Sequence, residues 1–382
     1  MKQYLIIILL LGLTLSVSGQ KSRVMAVMQM IDAEKYKEAK DAVELAVENN
    51  KTSKWHRTYY AKGLLCQTAY ETGIKKNDSK LIELYPSQLF VAYDSYEKAL
   101  ELDVRERLHT SIRQKYYLLS NDFSTLGEEL YKREEYKESL RAFEHALLIA
   151  KSDLISAKTD TNLVYNTALA AYESQDWEKA IAYLTGLHED AHSTSACLLL
   201  SLACFNGGDT IRSEEVLMEG VEIFKHEESV VMYLVNNMAS RGRAEPAINV
   251  LDKAIEAKPE NYRFLWARGL VYQQIEQNDE AIENFLMAIK ISPDEAELCY
   301  HLGLSYYNIG IELRESALHI TENDTYLEAR EHYLDKFREA VSWFEKSYEL
   351  DPHKEETVAR LHQLYNYLQM KHEKESMLQI VN

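Results

Sequence analysis

The chain has 382 residues, of which 46% are hydrophobic, so it carries enough apolar material for a substantial core. It holds 61 Asp and Glu against 43 Lys and Arg, and a field of that sign repels nucleic-acid phosphates and anionic membrane surfaces. No local basic patch stands out in the sequence. The presence of only 5 Pro and 13 Gly favours long helices joined by short turns.

The first predicted element is an export signal over residues 1–19. Lys2 supplies its positive end, residues 5–15 are almost wholly apolar, and residues 17–19 are small enough for cleavage before Gln20. The alternative is an uncleaved anchor, for which the uncharged stretch is marginal, because a spanning helix needs about 20 residues. Cleavage predicts an exported chain, located in the periplasm or cell envelope, with no transmembrane segment after the signal is removed.

After the signal, apolar residues recur at helical spacing in paired segments. In the clearest pair, residues 264–272 and 281–291 carry apolar side chains every three or four positions, and the residues between them are polar. Gly269 lacks a side chain where two helices need a close approach, and Phe285 fills the space beside it. Pro293 stops the second segment. The pattern predicts two antiparallel helices joined by a short turn.

The same spacing recurs along the chain, and through it the chain resembles the tetratricopeptide-repeat (TPR) family, whose unit is a helix-turn-helix of about 34 residues. The family's preferred positions fall here on Gly269, Tyr272, Ala281, Phe285, Ala288 and Pro293. The predicted units lie near residues 20–53, 56–106, 120–153, 161–194, 194–227, 228–261, 262–295, 296–352 and, in part, 355–382. The resemblance implies an all-α, right-handed superhelical solenoid of eight to nine repeats over residues 20–382. The signal followed by Gln20 is similar to those of exported Bacteroidota proteins.

One predicted unit is stretched near its turn. Ala92 lies 29 positions after Gly63, where the family has 12. The added residues include a basic, polar turn at residues 75–78 and Pro86, which we expect in the first turn of the following helix.

A second unit is stretched further, because Ala340 lies 37 positions after Gly303. The added residues keep a helical apolar pattern on both sides of residues 322–324. They predict a long antiparallel helical hairpin over residues 311–339. We consider two roles for it: packing against neighbouring repeats, or an arm that docks a partner or a second copy of the chain.

The four cysteines form no C-x-x-C pair. Cys197 and Cys204 are seven apart on one predicted helix, about 10 Å along its axis, which is too far for a disulfide. We predict that these two, with Cys66 and Cys299, are small core residues.

In the TPR family, particular positions of each first helix face a concave groove, and the resemblance implies such a ligand-binding groove here. Its side chains are mainly aromatic and amide, which suits the backbone and side chains of a peptide. Individual aromatics have the alternative of packing between helices. The cationic set with which the family clamps acidic chain ends is missing. The predicted groove residues are Asn121, Tyr131, Asn162, Tyr165, Tyr172, Phe205, Asn206, Asn236, Arg263, Trp266, Gln273, Tyr300, Tyr307 and Asn308.

One motif argues for an enzyme. His188-Glu189-Asp190-Ala191-His192 matches H-E-x-x-H, which on a helix presents two imidazoles to zinc and a Glu as general base. The motif falls where the second helix of a repeat should end, and the downstream Gly and His of one zinc-peptidase class are missing.

The function that we predict is a non-catalytic scaffold of the bacterial cell envelope that binds a protein or peptide, with no cofactor and no metal. The alternative is an oligomerising component that acts through the hairpin of residues 311–339. A zinc peptidase is a remote third hypothesis. The sequence does not identify the partner.

Overall fold

The computed structural model describes residues 21–156, 158 and 160–370. All regular secondary structure in these ranges is helical, as predicted. The chain divides into two compact units, one ending at Leu187 and the other beginning at His188. The predicted export signal and the end of the last predicted repeat, residues 371–382, lie outside the described residues.

The first unit contains the helices up to α9, whose last two residues belong to the second unit. Helix α1 is described over residues 21–32. The others are α2 (Tyr36–Glu48), α3 (His56–Lys76), α4 (Ser79–Ile82), α5 (Gln88–Leu102), α6 (His109–Lys132), α7 (Tyr136–Lys151), α8 (Thr161–Glu173) and α9 (Trp177–Glu189).

The second unit contains the remaining described helices. They are α10 (Thr194–Asn206), α11 (Thr210–Ile223), α12 (Glu228–Ser240), α13 (Ala244–Ala257), α14 (Tyr262–Gln274), α15 (Asn278–Ile291), α16 (Ala296–Ala317), α17 (Asn323–Leu350) and α18 (Glu355–Leu368). The pairs α10/α11, α12/α13, α14/α15 and α16/α17 each pack together across a short turn.

Helix pairs in both units cross where a glycine of the first helix faces an aromatic ring of the second. A Cβ added at Gly127 would lie 2.7 Å from the ring of Phe143, and one added at Gly269 would lie 2.5 Å from that of Phe285. Distances this short leave no room for a methyl group, so only glycine permits the observed approach of the two helices. The same crossing occurs between Gly63 and Tyr96 and between Gly303 and Phe344.

The turns inside the pairs share one backbone motif. The second residue after the first helix has positive φ, as at Gly208 (92°), Gly242 (72°) and Glu276 (63°), which lie 34 residues apart. The next residue then donates its N–H back to a carbonyl in the last turn of the helix, for example Arg243 N to Met238 O at 3.0 Å. This is the left-handed end of a helix that glycine favours. The turn therefore repeats with the period of the sequence.

The second stretched unit forms the predicted hairpin. Helices α16 and α17 run to 22 and 28 residues and meet at a turn over residues 318–322. A second glycine crossing lies nearer the tip of the hairpin, because a Cβ added at Gly310 would lie 2.6 Å from the ring of Phe337. Tyr333, Leu334 and Phe337 are buried with Leu361 of α18 and its neighbours. These contacts support the packing role of the hairpin.

The first stretched unit differs from the prediction at its proline. The added residues lengthen α3 to 21 residues and form the short helix α4. Pro86 lies in the loop before Ser87, the N-cap of α5, and not in the first turn of that helix. Ser87 has φ of 51°, so the chain must change direction there before α5 can begin, which displaces the proline from the helix.

All four cysteines are buried and free, as predicted. Burial raises the pKa of the Cys66 and Cys197 thiols to about 12, so both stay protonated and behave as apolar groups. Among the described helices, none is both long enough and apolar enough to cross a bilayer.

Candidate peptide-binding surface

A cavity of about 210 Å³ opens on the first unit between α6 and α8. Its lining comes from two successive first helices and from the second helix between them: Glu128, Tyr131 and Lys132 of α6, Phe143 of α7, and Asn166 and Leu169 of α8. Small-molecule pockets usually hold about 300–1,000 Å³. This cavity, which we call the α6/α8 socket, is the right size for a single side chain of a larger ligand.

The floor of the socket is fixed by core packing. Phe143 is only 2% exposed, and its ring is held against Gly127. Tyr131, which the sequence predicted as a groove residue, packs edge-on against Tyr136 of α7 with ring centres 5.2 Å apart. A floor built this way is preorganised, so a ligand side chain meets little cost of rearrangement.

The rim of the socket offers polar groups of several kinds. Glu128 and Lys132 are exposed and carry opposite charges. Burial, with the charge of Glu173 nearby, raises the pKa of Tyr131 to about 12, so its hydroxyl stays a neutral donor. Asn166 is half-buried, and no hydrogen bond from its side chain to another described residue is formed. An amide without an internal partner can form hydrogen bonds with a peptide backbone.

The other predicted residues of the first unit lie on its first helices with different exposures. Asn121 on α6 and Asn162 on α8 are exposed. Tyr165 is half-buried, and burial raises its pKa. Tyr172 is half-buried against Trp177 of α9, with ring centres 5.2 Å apart. The two asparagines therefore face solvent, whereas Tyr172 serves the packing of its own turn.

In the second unit, Gln273 joins two first helices. From α14 its Nε2 donates to the backbone oxygen of His301 (3.1 Å) and to Ser305 Oγ (2.9 Å), both on α16. Its Oε1 lies 3.0 Å from Nδ1 of His301. Burial lowers the pKa of His301 to about 4 despite the nearby Glu297, so the ring is neutral and its Nδ1–H donates to the amide. Both ends of the Gln273 amide are occupied inside the unit.

Three more predicted residues of the second unit pack between helices. Tyr300 is half-buried with its ring 5.5 Å from that of Phe344, and the ring of Tyr307 lies 5.7 Å from that of Phe337. Asn308 Nδ2 donates to Oδ1 of Asn278, the first residue of α15, at 3.3 Å. For these residues the structure favours the packing alternative.

Three predicted residues on α10 and α12 are exposed. Phe205 is 46% exposed, and the guanidinium of Arg241 lies 5.8 Å from its ring centre. Asn206 and Asn236 are exposed as well. Phe205 thus presents part of an apolar ring to solvent, and its role as a ligand contact stays a prediction.

Two predicted residues of α14 have distinct environments. Arg263 is exposed and pairs with Glu228 of α12 at 2.7 Å, so its charge is already compensated. Trp266 is half-buried, and its Nε1 is buried without a hydrogen-bond partner in the described part of the chain. A buried indole N–H usually finds an acceptor, so Trp266 stays a candidate for a contact.

The H-E-x-x-H motif lies at the end of α9, where its first histidine is part of the core. His188 is 2% exposed, and its Nε2 lies 3.1 Å from Oε2 of Glu219 on α11. Arg212 also pairs with Glu219 at 2.8 Å and holds the pKa of that carboxyl below its usual value. Within the described ranges, no three His, Cys, Asp or Glu side chains converge as metal ligands. His188 therefore contributes to the packing of the second unit through Glu219.

Residues 274–310 match the family model described as TPR repeat. They run from the end of α14 through α15 into α16, and thus include the left-handed turn at Glu276. The same turn and the glycine crossing recur in other helix pairs of both units.

This chain contains a tetratricopeptide repeat.

Two solved structures are similar to this chain at low identity. A MamA protein is 20% identical, with 50% of this chain and 95% of that one covered at a TM-score of 0.35. A TPR repeats protein from Bacteroides fragilis NCTC 9343 is 15% identical, with 65% of this chain and 98% of that one covered at a TM-score of 0.35. A search of curated proteins finds no match. Neither structural likeness bears on what this chain binds.

Sequence reasoning did not select Asn166 or Phe143 for the TPR groove. The signal for Asn166 was present, because it lies four residues after Asn162 and three before Leu169, which places all three on one helix face. Phe143 belongs to the core, where it is almost completely buried. Its exposure to the socket depends on the spacing of α6 and α8, which no single repeat determines.

Proposed function

We propose that this TPR protein is a non-catalytic scaffold that binds a protein or peptide, with one ligand side chain seated in the α6/α8 socket. The supporting observation is the socket itself: a preformed, apolar-floored cavity of side-chain size on the face formed by successive first helices. Asn166 at its rim offers donors and an acceptor to a peptide backbone beside the bound side chain.

We also propose that the protein is exported to the periplasm or cell envelope, on the strength of the composition of residues 1–19. An extracytoplasmic scaffold is consistent with its four cysteines, which are buried away from oxidants.

Site-specific photo-crosslinking tests the binding surface. A photoreactive amino acid at Lys132, on the socket rim, is compared with the same amino acid at Ala182, an exposed position on the second helix α9 of the same unit. Both variants are expressed at native level in the cells that make the protein, irradiated, and analysed by mass spectrometry of the adducts.

We expect Lys132 to yield a defined adduct with one peptide segment of another protein, and Ala182 to yield none of it. Equal labelling at both positions, or no adduct at Lys132, would remove the socket from the binding surface. The contacts between the hairpin and α18 already use its buried aromatic residues for packing, so we propose no second function for it.

A further inference from the structure

A second cavity in the first unit is lined by basic side chains although the chain carries a net charge of −18. It holds about 250 Å³ and lies where the first turn of α3 meets the loop between α5 and α6. Its lining is His56, Leu102, Asp103, Val104, Arg105 and Arg107. The sequence had shown no basic patch, because the residues come from segments nearly fifty positions apart.

The arginines of this cavity have no acidic partner. Arg105 and Arg107 are exposed, and neither forms an ion pair with any residue in the described ranges. Lys21 and Arg57 add positive charge close enough to act on His56. Arg263, by contrast, is exposed but pairs with a glutamate at 2.7 Å. Unpaired positive charge therefore lines this cavity.

The two nearby acidic groups are engaged with other partners. Asp103 is 3% exposed, its Oδ2 accepts the N–H of Leu108 at 2.6 Å, and its Oδ1 lies 3.9 Å from His56 Nε2. Glu106 points to His109, 4.0 Å away. Asp103 thus fixes the loop that carries the arginines, and neither carboxylate neutralises them.

We propose that this cavity binds a phosphate group, held by Arg105 and Arg107 beside His56. Guanidinium groups match phosphate oxygens with paired, charge-assisted hydrogen bonds. The volume suits a compact anion, and the first turn of the 21-residue helix α3 contributes a favourable dipole, since Trp55 provides no side-chain cap. The site is separate from the α6/α8 socket, so its test is independent of the proposed function.

Two sources could supply such a phosphate: a free small molecule or the headgroup of an anionic lipid. Val104, next to Arg105, is 91% exposed, which presents an apolar side chain beside the cations. The experiment separates the two sources with two probes, inorganic phosphate and phospholipid vesicles.

His56 provides a reporter inside the cavity. Its pKa lies below the usual value, because burial lowers it and the charges of Arg57, Arg107 and Lys21 lower it further, against the opposing effect of Asp103. A bound phosphate adds negative charge beside the ring and must raise this pKa. The His56 ring resonances, followed by NMR against pH with and without phosphate, measure the change.

The full chain is compared with two double variants, Arg105→Ser/Arg107→Ser and the control Arg330→Ser/Arg338→Ser. The control removes two exposed arginines of the second unit, so both variants have the same net charge. Titration with inorganic phosphate and co-sedimentation with phosphatidylcholine vesicles, with or without phosphatidylglycerol, are measured for each. Residues 1–20 are present throughout, so any membrane affinity of that segment is common to all samples.

We expect phosphate to raise the pKa of His56, and its dissociation constant to increase at least about tenfold in Arg105→Ser/Arg107→Ser but not in the control. Binding to phosphatidylglycerol vesicles alone, with the same dependence on the two arginines, supports the headgroup source. Equal binding by both double variants, or an unchanged His56 pKa together with no arginine-dependent vesicle binding, would overturn the proposal.

Discussion

At Gly127 the ring of Phe143 occupies the space that a side chain would need, and this one contact both closes a helix pair and forms the floor of the α6/α8 socket. Gly186, on α9 of the same unit, has nothing within 4 Å of a hypothetical Cβ. The two glycines therefore separate the effect of packing from the effect of helix propensity.

We expect Gly127→Ala to lower the free energy of unfolding by about 1–3 kcal/mol, because the added methyl group overpacks a closed crossing. Gly186→Ala should raise it by up to about 1 kcal/mol, because alanine is the better helix former and meets no neighbour. Urea unfolding followed by circular dichroism measures both. A stabilised Gly127→Ala variant would show that the crossing has room for a methyl group.

His301 gives the second unit a stability that depends on pH. Its pKa in the folded state is about 4, below the ordinary value of 6.5, so between these values the unfolded chain binds more protons than the folded one. The stabilisation is therefore complete above about pH 6.5 and is lost as the pH falls towards 4.

From pH 7 to pH 5 we expect the wild type to lose about 2 kcal/mol more of unfolding free energy than His301→Gln, an order-of-magnitude figure from the pKa difference. His332→Gln, an exposed histidine of α17, is the control and should keep the wild-type slope. Urea unfolding at both pH values provides the comparison. Parallel slopes for wild type and His301→Gln would contradict the buried neutral imidazole.

Among the elements, the turn with positive φ defines the repeat as clearly as the helices do. The chain uses glycine at 208 and 242 but Glu276, at φ of 63°, in the equivalent place of the next pair. A residue with a Cβ is strained in this region, and glycine is not.

We expect Glu276→Gly to stabilise the second unit by about 0.5–1 kcal/mol, and Gly242→Ala to destabilise it by about 1–2 kcal/mol. The two substitutions are made at the same turn position, 34 residues apart, so each serves as the control for the other. Thermal melting of both variants against wild type reports the sign. Destabilisation by Glu276→Gly would mean that the glutamate side chain contributes more than the backbone strain costs.

Much of the helical architecture was predictable from the sequence, because apolar spacing and the glycine–aromatic crossing are local properties of each pair. The hairpin was predicted from its added helical residues, although Gly310, which makes its second crossing with Phe337, was not noticed. Which groove residues bond to neighbouring helices was not predictable. Gln273 and Asn308 carry the same amide group as Asn166. Whether such an amide already has a hydrogen-bond partner depends on how closely a helix of the neighbouring repeat approaches it.

For the whole molecule, net charge proved a poor guide to local chemistry. A chain with 61 acidic and 43 basic residues still places two unpaired arginines at one cavity, because the loops of neighbouring helix pairs meet there. More than half of the other arginines form ion pairs with carboxylates. Whether an anion can bind therefore depends on the local pairing of charges and not on the net charge of the chain.

Export is the prediction that concerns the whole chain. We expect the mature protein to begin at Gln20, because the small residues 17–19 precede it and the apolar run before them is of signal length. Intact-mass spectrometry of protein from the cells that make it measures the cleavage point. A mass that retains residues 1–19 would favour the uncleaved anchor instead.

We propose that the α6/α8 socket receives a side chain of a peptide, so a variant that fills the socket should weaken binding. Asn166→Trp places an indole in the socket, whereas Ala182→Trp adds the same group to an exposed second-helix position. The measurement is the affinity, by fluorescence anisotropy, of a labelled peptide that spans the segment crosslinked at Lys132. We expect Ala182→Trp to bind like the wild type and Asn166→Trp to bind at least about tenfold more weakly, since a lost anchor costs about 2 kcal/mol or more. Equal affinities for all three proteins would contradict it.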